Sequence, residues 1–182
     1  AALARMGECE ASPKNAVEVN TVGTANIVNN ILQQEIRRNK SIRFVYISTD
    51  GVYQSASGGY SENSATIPYN VYGWTKLGGE CAVKLLVNHC IIRTRFFDPE
   101  NIPYESSASD IITSSIEINR LIEIIAKLIN INFSGTVNVG EQAMSEYDRY
   151  KHYKPSLNPC RRADVVKNLN YEIAHDSSMN VS

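Results

Sequence analysis

Long apolar runs are missing from this 182-residue sequence. None approaches the ~20 residues needed to cross a bilayer, and the opening AALARMGECE lacks the apolar core of a secretory signal. An excess of one charge is missing too. The 18 basic and 19 acidic side chains leave a net charge of -1, so no electrostatic field recommends nucleic acid or an anionic membrane as a partner. The pair Arg161-Arg162 is too short to change that. Cysteine is sparse and unpatterned: Cys9, Cys81, Cys90 and Cys160 form no C-x-x-C and no Cys/His metal spacing. That argues against a disulfide frame or a metal site and for packed thiols in a reducing compartment. The expectation is a cytoplasmic protein with no metal. An initiator methionine is absent as well, and AAL reads as the end of a strand that has lost its beginning.

What is present is an ordinary globular composition, 43% hydrophobic and 20% charged, on a chain long enough for one sizeable core or a domain plus a small lobe. Ser12-Pro13 is a helix start, and Val17, Ile27, Val28, Ile31, Leu32 and Ile36 follow at roughly helical spacing, predicting a helix over 13–37. RFVYIS is a short β-rich run that predicts a buried strand, ending in Ser48, Thr49 and Asp50. The Ser- and Gly-rich stretch 54–68 is a loop. A second helix is expected over 68–87 and a second strand over 89–94. Beyond residue 95, IEINRLIEIIAKLIN predicts a helix with Leu121, Ile124, Ile125, Leu128 and Ile129 inward, and GTVNVG a short strand. SEYDRYKHY and RADVVKNL predict short helices.

Helices alternating with strands over short connections predict an α/β fold, a doubly wound parallel sheet. Ligands of such sheets sit beyond the carboxyl ends of the strands, where the hydroxyls of Ser48 and Thr49 fall. Tyr72 and Lys76, four apart, share one helix face. A phenol is a poor base at neutrality, but a nearby ammonium favours the phenolate and lowers its pKa. A tyrosine so activated can exchange a proton with a substrate oxygen that Thr49 holds in register.

Thr49, Tyr72 and Lys76, set in STDGVY and YNVYGWTK, resemble the Ser/Thr-Tyr-Lys triad of the extended short-chain dehydrogenase/reductases. CEASPKNAVEVNTVGTANI is similar to the helix before that family's catalytic strand, and the Y-x-E of Tyr60 and Glu62 followed by PYNVYG is similar to the approach to its tyrosine. The resemblance is to the dTDP-4-dehydrorhamnose reductase-like, sugar-nucleotide-modifying branch. It implies a partial Rossmann-type sheet over residues 1–95 and a small C-terminal substrate lobe over 96–182, with segments returning to the main sheet. It implies NAD or NADP as cofactor, held by Ala1, Ala2, Leu3, Asn20, Ser48, Tyr72 and Lys76. It implies a nucleotide-sugar substrate touching Thr49, Asp50, Phe96 and Arg161, and a homodimer built on helices 13–37 and 68–87. The family's 4,6-dehydratases carry an Asp-Glu pair where this chain has Asp50 and Gly51, so the resemblance implies reduction of a keto-sugar rather than dehydration. Epimerisation through a transient ketone, or a non-catalytic reductase-like subunit, are the other readings. The family's glycine-rich G-x-x-G-x-x-G turn does not occur in the sequence, so a fragment lacking roughly the first third of a family member is expected.

Overall fold

The computed structural model describes residues 2–181. Two short helices, α1 (Met6–Ala11) and α2 (Pro13–Ala16), lead through a π-helical stretch, Val17–Val22, into α3 (Gly23–Arg38). The expected helix over 13–37 is therefore one continuous rod with a widened middle. It ends at Asn39, whose left-handed backbone (φ 49°) and N–H to the Glu35 carbonyl close the last turn. β1 (Phe44–Thr49), α4 (Val71–Val83) and β2 (His89–Thr94) follow. The start of α4 falls later than Pro68 because the Asn70 side chain caps it, accepting from the Gly73 N–H at 2.8 Å.

The carboxyl half contributes β3 (Phe96–Phe97), β4 (Ser106–Ala108), β5 (Ile112–Thr113), β6 (Ile116–Glu117), α5 (Ile118–Asn130), β7 (Gly135–Val139), β8 (Met144–Ser145), α6 (Glu146–Lys151), β9 (Asn158–Cys160) and α7 (Arg162–Val166). β1, β2 and β7 make one parallel sheet in the order β1-β2-β7. The strand pairs β3-β6 and β4-β9 are parallel and β5-β8 is antiparallel. No helix among the described residues is long and apolar enough to cross a membrane.

Alternation along the strands sends side chains to two faces, and each face has its own core. Val28 of α3 and Val83 of α4 pack on Tyr46 and Ile91 on one side. Leu121, Ile124, Ile125 and Leu128 of α5 pack on Cys90, Ile92 and Val139 on the other. The sheet is thus doubly wound, and α5 with β7 brings part of the carboxyl half back to it. Not every apolar position expected inward is covered: Val17, Ile27, Ile36 and Ile129 are exposed. The stretch at Ala2–Arg5 forms no strand. Both backbone polar groups of Leu3 are instead taken by the Asn20 side chain, at 2.8 and 2.9 Å.

Candidate active site

A cavity of about 740 Å³ runs along the outer edge of β1 and over its carboxyl end. Its wall includes Thr49 and Asp50 from the strand end, Tyr72 and Lys76 from α4, and Thr94, Arg95 and Phe96 from the end of β2 onwards. Tyr72 and Lys76 reach the same space because α4 lies close on the turn after β1. Gly73 makes that approach possible: a Cβ there would sit 2.2 Å from the Gly51 carbonyl oxygen.

Of the residues expected to meet a cofactor or substrate, Ala2, Ser48, Thr49, Asp50, Tyr72, Lys76 and Phe96 all line this cavity. Ala1 lies outside the described residues. Leu3 and Asn20 do not line it. Asn20 is 1% exposed, and besides clamping Leu3 it donates to Thr75 Oγ1 at 3.0 Å, while Thr75 donates to the Tyr72 carbonyl at 2.8 Å. Its role in this fold is to tie the amino-terminal segment to the turn of α4 that carries Tyr72. Phe96 is 51% exposed, whereas Phe97 is buried, so the aromatic at the cavity is the one not used by the core. Arg161 does not join the others. It stands at the start of α7 with its guanidinium 4.0 Å from Asp110 and 71% exposed, outside the cavity wall, because α7 is a surface helix that buries none of its residues.

The hydroxyls of the strand end are already engaged. Ser48 donates to Glu80 at 2.5 Å, and Glu80 holds Arg93 by two bonds of 3.0 and 2.7 Å, all of it buried. Arg93 in turn donates to the Tyr53 hydroxyl, which donates to Asn138. Thr49 Oγ1 donates to Asp50 Oδ1 at 3.0 Å and accepts from the Gly51 N–H at 3.1 Å. Asp50 Oδ2 accepts from Arg95 Nε at 2.7 Å and from the Ser177 hydroxyl at 2.8 Å.

The electrostatics of Tyr72 overturn one expectation. Its pKa is raised, not lowered: burial is the largest cause, and the negative charge of Asp50 adds to it. The Lys76 ammonium does not offset this. Its Nζ lies 4.1 Å from the centre of the Tyr46 ring, in cation-π contact. Lys76 itself is only 4% exposed, and burial pushes its pKa down to about 8 against the opposing pull of Glu80. In this state the cavity wall carries a protonated phenol and an ammonium that burial disfavours.

Sequence reading missed Arg95, Glu146, Tyr104 and Tyr150, all on the cavity wall. Arg95 had a weak signal, as a charge directly after an apolar strand that needs a partner when half-buried. Glu146 had none, since it meets Arg95 from 51 residues away. Among the described residues no His, Cys, Asp and Glu group could hold a metal ion.

Comparison with known proteins identifies relatives of the chain. The family model described as RmlD substrate binding domain matches residues 1–99. A dTDP-4-keto-6-deoxy-D-glucose reductase of Streptomyces niveus is 39% identical over 97 residues, which are 52% of this chain and 32% of that protein. The chain therefore spans about a third of the curated relative that it matches. The solved dTDP-4-dehydrorhamnose reductase of Bacillus anthracis, in complex with NADP, superimposes with a TM-score of 0.84 at 23% identity, over 100% of this chain and 70% of that one. The orthologue from Clostridium acetobutylicum gives 0.83 at 21%, over 98% and 69%. At such identities the two structures establish the fold.

Proposed function

Because this chain belongs to the RmlD substrate binding domain family, we propose that it carries the catalytic and substrate-holding part of an NAD(P)-dependent reductase acting on a nucleotide-linked keto-deoxysugar, such as a dTDP-4-keto-6-deoxy sugar. The observation that carries this reading is the meeting of Thr49, Tyr72 and Lys76 in one cavity, with Tyr72 held in its protonated form. A neutral phenol is a proton donor, which is what the oxygen of a carbonyl under reduction requires.

The residues present fit the nicotinamide-ribose end of NAD or NADP. Lys76 is a buried ammonium with no ion-pair partner among the described residues, and the small side chains of Ala2 and Ala4 line the same cavity. Lys76 would hold the ribose hydroxyls, and Ser48 and Ala2 would leave room for the ring. When bound, the reduced nicotinamide supplies hydride to the carbonyl carbon. The protein's own part is then a proton transfer. The Tyr72 hydroxyl gives its proton to the carbonyl oxygen, which becomes an alcohol, and the phenolate left behind is stabilised by the Lys76 ammonium once it leaves the Tyr46 ring. Thr49 Oγ1 exchanges its bond to Asp50 for one to the same oxygen and fixes its position. Phe96, exposed on the wall, offers a face for the sugar ring. No glycine-rich phosphate turn occurs in the sequence, so no role toward the pyrophosphate is assigned to these residues.

The same reading takes residues 1–95 as the cofactor-facing part and 96–182 as the substrate lobe. A cytoplasmic place is supported by the balanced charge and the free thiols. A homodimer is supported by exposed Val19 and Val22 of the π-helical stretch and exposed Trp74 of α4, on the two helices expected to build it.

Tyr72→Phe in the intact protein tests the reading. The variant keeps the ring and its packing, so the fold should be retained and nicotinamide nucleotide binding should change by less than about twofold. Turnover should fall by about 10²- to 10⁴-fold, the range for loss of a general acid. Retention of most of the turnover would remove Tyr72 from its assigned role.

A further inference from the structure

A second, smaller cavity of about 270 Å³ adjoins the first. Four residues belong to both walls: Met6, Arg95, Tyr104 and Glu146. Two of these are charged and face each other, Arg95 Nη1 donating to Glu146 Oε1 at 3.4 Å, with both side chains about one-fifth exposed. Arg95 is anchored from behind by the buried Asp50 at 2.7 Å. Glu146 is fixed by its place in the first turn of α6.

This arrangement leaves part of the pair's bonding capacity unused. A guanidinium has five N–H donors and a carboxylate two acceptor oxygens. Among the described residues no well-formed hydrogen bond engages Arg95 Nη2 or Glu146 Oε2; the buried Tyr69 hydroxyl, itself without such a bond, is a further polar group close to Arg95. The Thr94 hydroxyl, which lines the larger cavity only, is buried and also without a partner. The wall between the cavities therefore offers a free donor and a free acceptor on adjoining side chains, next to Tyr104, an exposed aromatic that stacks on Tyr150 with centroids 6.2 Å apart.

Charge decides what kind of ligand suits it. One guanidinium is flanked by two carboxylates, Asp50 and Glu146, and the further cation that acts on Glu146, Arg149, is itself paired with Glu141, so the group carries an excess negative charge when its carboxylates are ionised. A phosphate or a sugar carboxylate would meet that charge and is disfavoured. Neutral hydroxyls are not: one can accept from Nη2 while its neighbour donates to Oε2, and bonds to charged partners are the stronger kind.

We propose that Arg95 and Glu146 form a hydroxyl-reading pair that selects sugars presenting two adjacent hydroxyls at the junction of the two cavities. The pair is a specificity determinant for the substrate of the proposed reductase, and rests on that reading of the large cavity. It does not exchange protons with the carbonyl and acts on affinity rather than on chemistry.

Binding of dTDP-glucose, which has adjacent hydroxyls, and of dTDP, which lacks the sugar, to the intact protein tests the proposal by calorimetry. Two variants are compared with the parent, Glu146→Ala and Arg95→Lys; the second keeps a cation against Asp50, so that the buried carboxylate stays paired. Each should weaken dTDP-glucose by about tenfold, the loss expected for a hydrogen bond to a charged group, and change dTDP by less than twofold. The unchanged dTDP affinity also reports that each variant is folded. Equal effects on both ligands, or none on dTDP-glucose, would overturn the pair's role while leaving the nucleotide-sugar reading intact. A parent protein that binds neither ligand would overturn that reading, and the pair's role with it.

Discussion

Lys76→Met should make the protein more stable at pH 7 while removing its turnover. The Lys76 ammonium is buried, and its pKa in the fold is pushed down from 10.5 to about 8. In the unfolded chain the amine keeps its proton up to the higher value. Between the two, the unfolded state binds more protons, so this residue's contribution to stability rises with pH across that window. Below pH 8 the whole cost of the buried charge is present. The shift corresponds to about 3 kcal/mol, and the cation-π contact with Tyr46 belongs to what the methionine would lose. A net gain of about 1–3 kcal/mol at pH 7 is expected. Urea midpoints of the parent and the variant at pH 7 and at pH 10 check it: the difference should shrink at the higher pH. A methionine variant less stable than the parent at pH 7, or a gain independent of pH, would mean that the lysine is not strained. On the proposed function, the reason for keeping a costly ammonium would be to stabilise the phenolate and hold ribose.

Glu80→Ala should be among the most damaging single changes in the fold. Glu80 and Arg93 are both buried, and the carboxylate receives three hydrogen bonds, one from Ser48 and two from Arg93. Such a pair adds little over a well-packed apolar substitute, but removing one partner strands the other charge, at a cost of about 3–5 kcal/mol. The alanine also frees the Ser48 hydroxyl at the end of β1, next to Thr49. The unfolding midpoint in urea should fall accordingly. Glu8→Ala is the control, since Glu8 pairs with Arg5 on the surface and such pairs contribute about 0–1 kcal/mol. Equal effects from the two changes would show that the Glu80 network is not holding the strand end.

Periodicity and turn chemistry made much of this fold legible beforehand. The strands at 44–49 and 89–94, the helices around them and the inward face of α5 follow from residue type and spacing. So does the gathering of Thr49, Tyr72 and Lys76 on one cavity wall, because hydroxyls at the end of a parallel strand lie beside the helix that follows it. What could not be read depends on contacts distant in sequence. Asn20 gives no sign in VNTVGT that it will clamp Leu3 and Thr75. Arg95 and Glu146 converge only after α5, β7 and β8 have folded back. The direction of the Tyr72 shift was misjudged because spacing reports a neighbouring ammonium but not burial, and burial is the larger effect here. Arg161 illustrates the opposite error: of the basic pair in the right region of the chain, Arg162 turns inward to the Ile173 carbonyl while the Arg161 side chain is left in solvent.

Label transfer from a nicotinamide cofactor deuterated at its hydride-donating carbon tests the central claim most directly. The intact protein is mixed with that cofactor and dTDP-4-keto-6-deoxyglucose, and the sugar is followed by mass and proton resonance. The account predicts one deuterium on the former carbonyl carbon of each sugar reduced, with one cofactor oxidised in step. A sugar that changes configuration with no net oxidation of the cofactor, or one that is recovered unlabelled and unchanged, would contradict it.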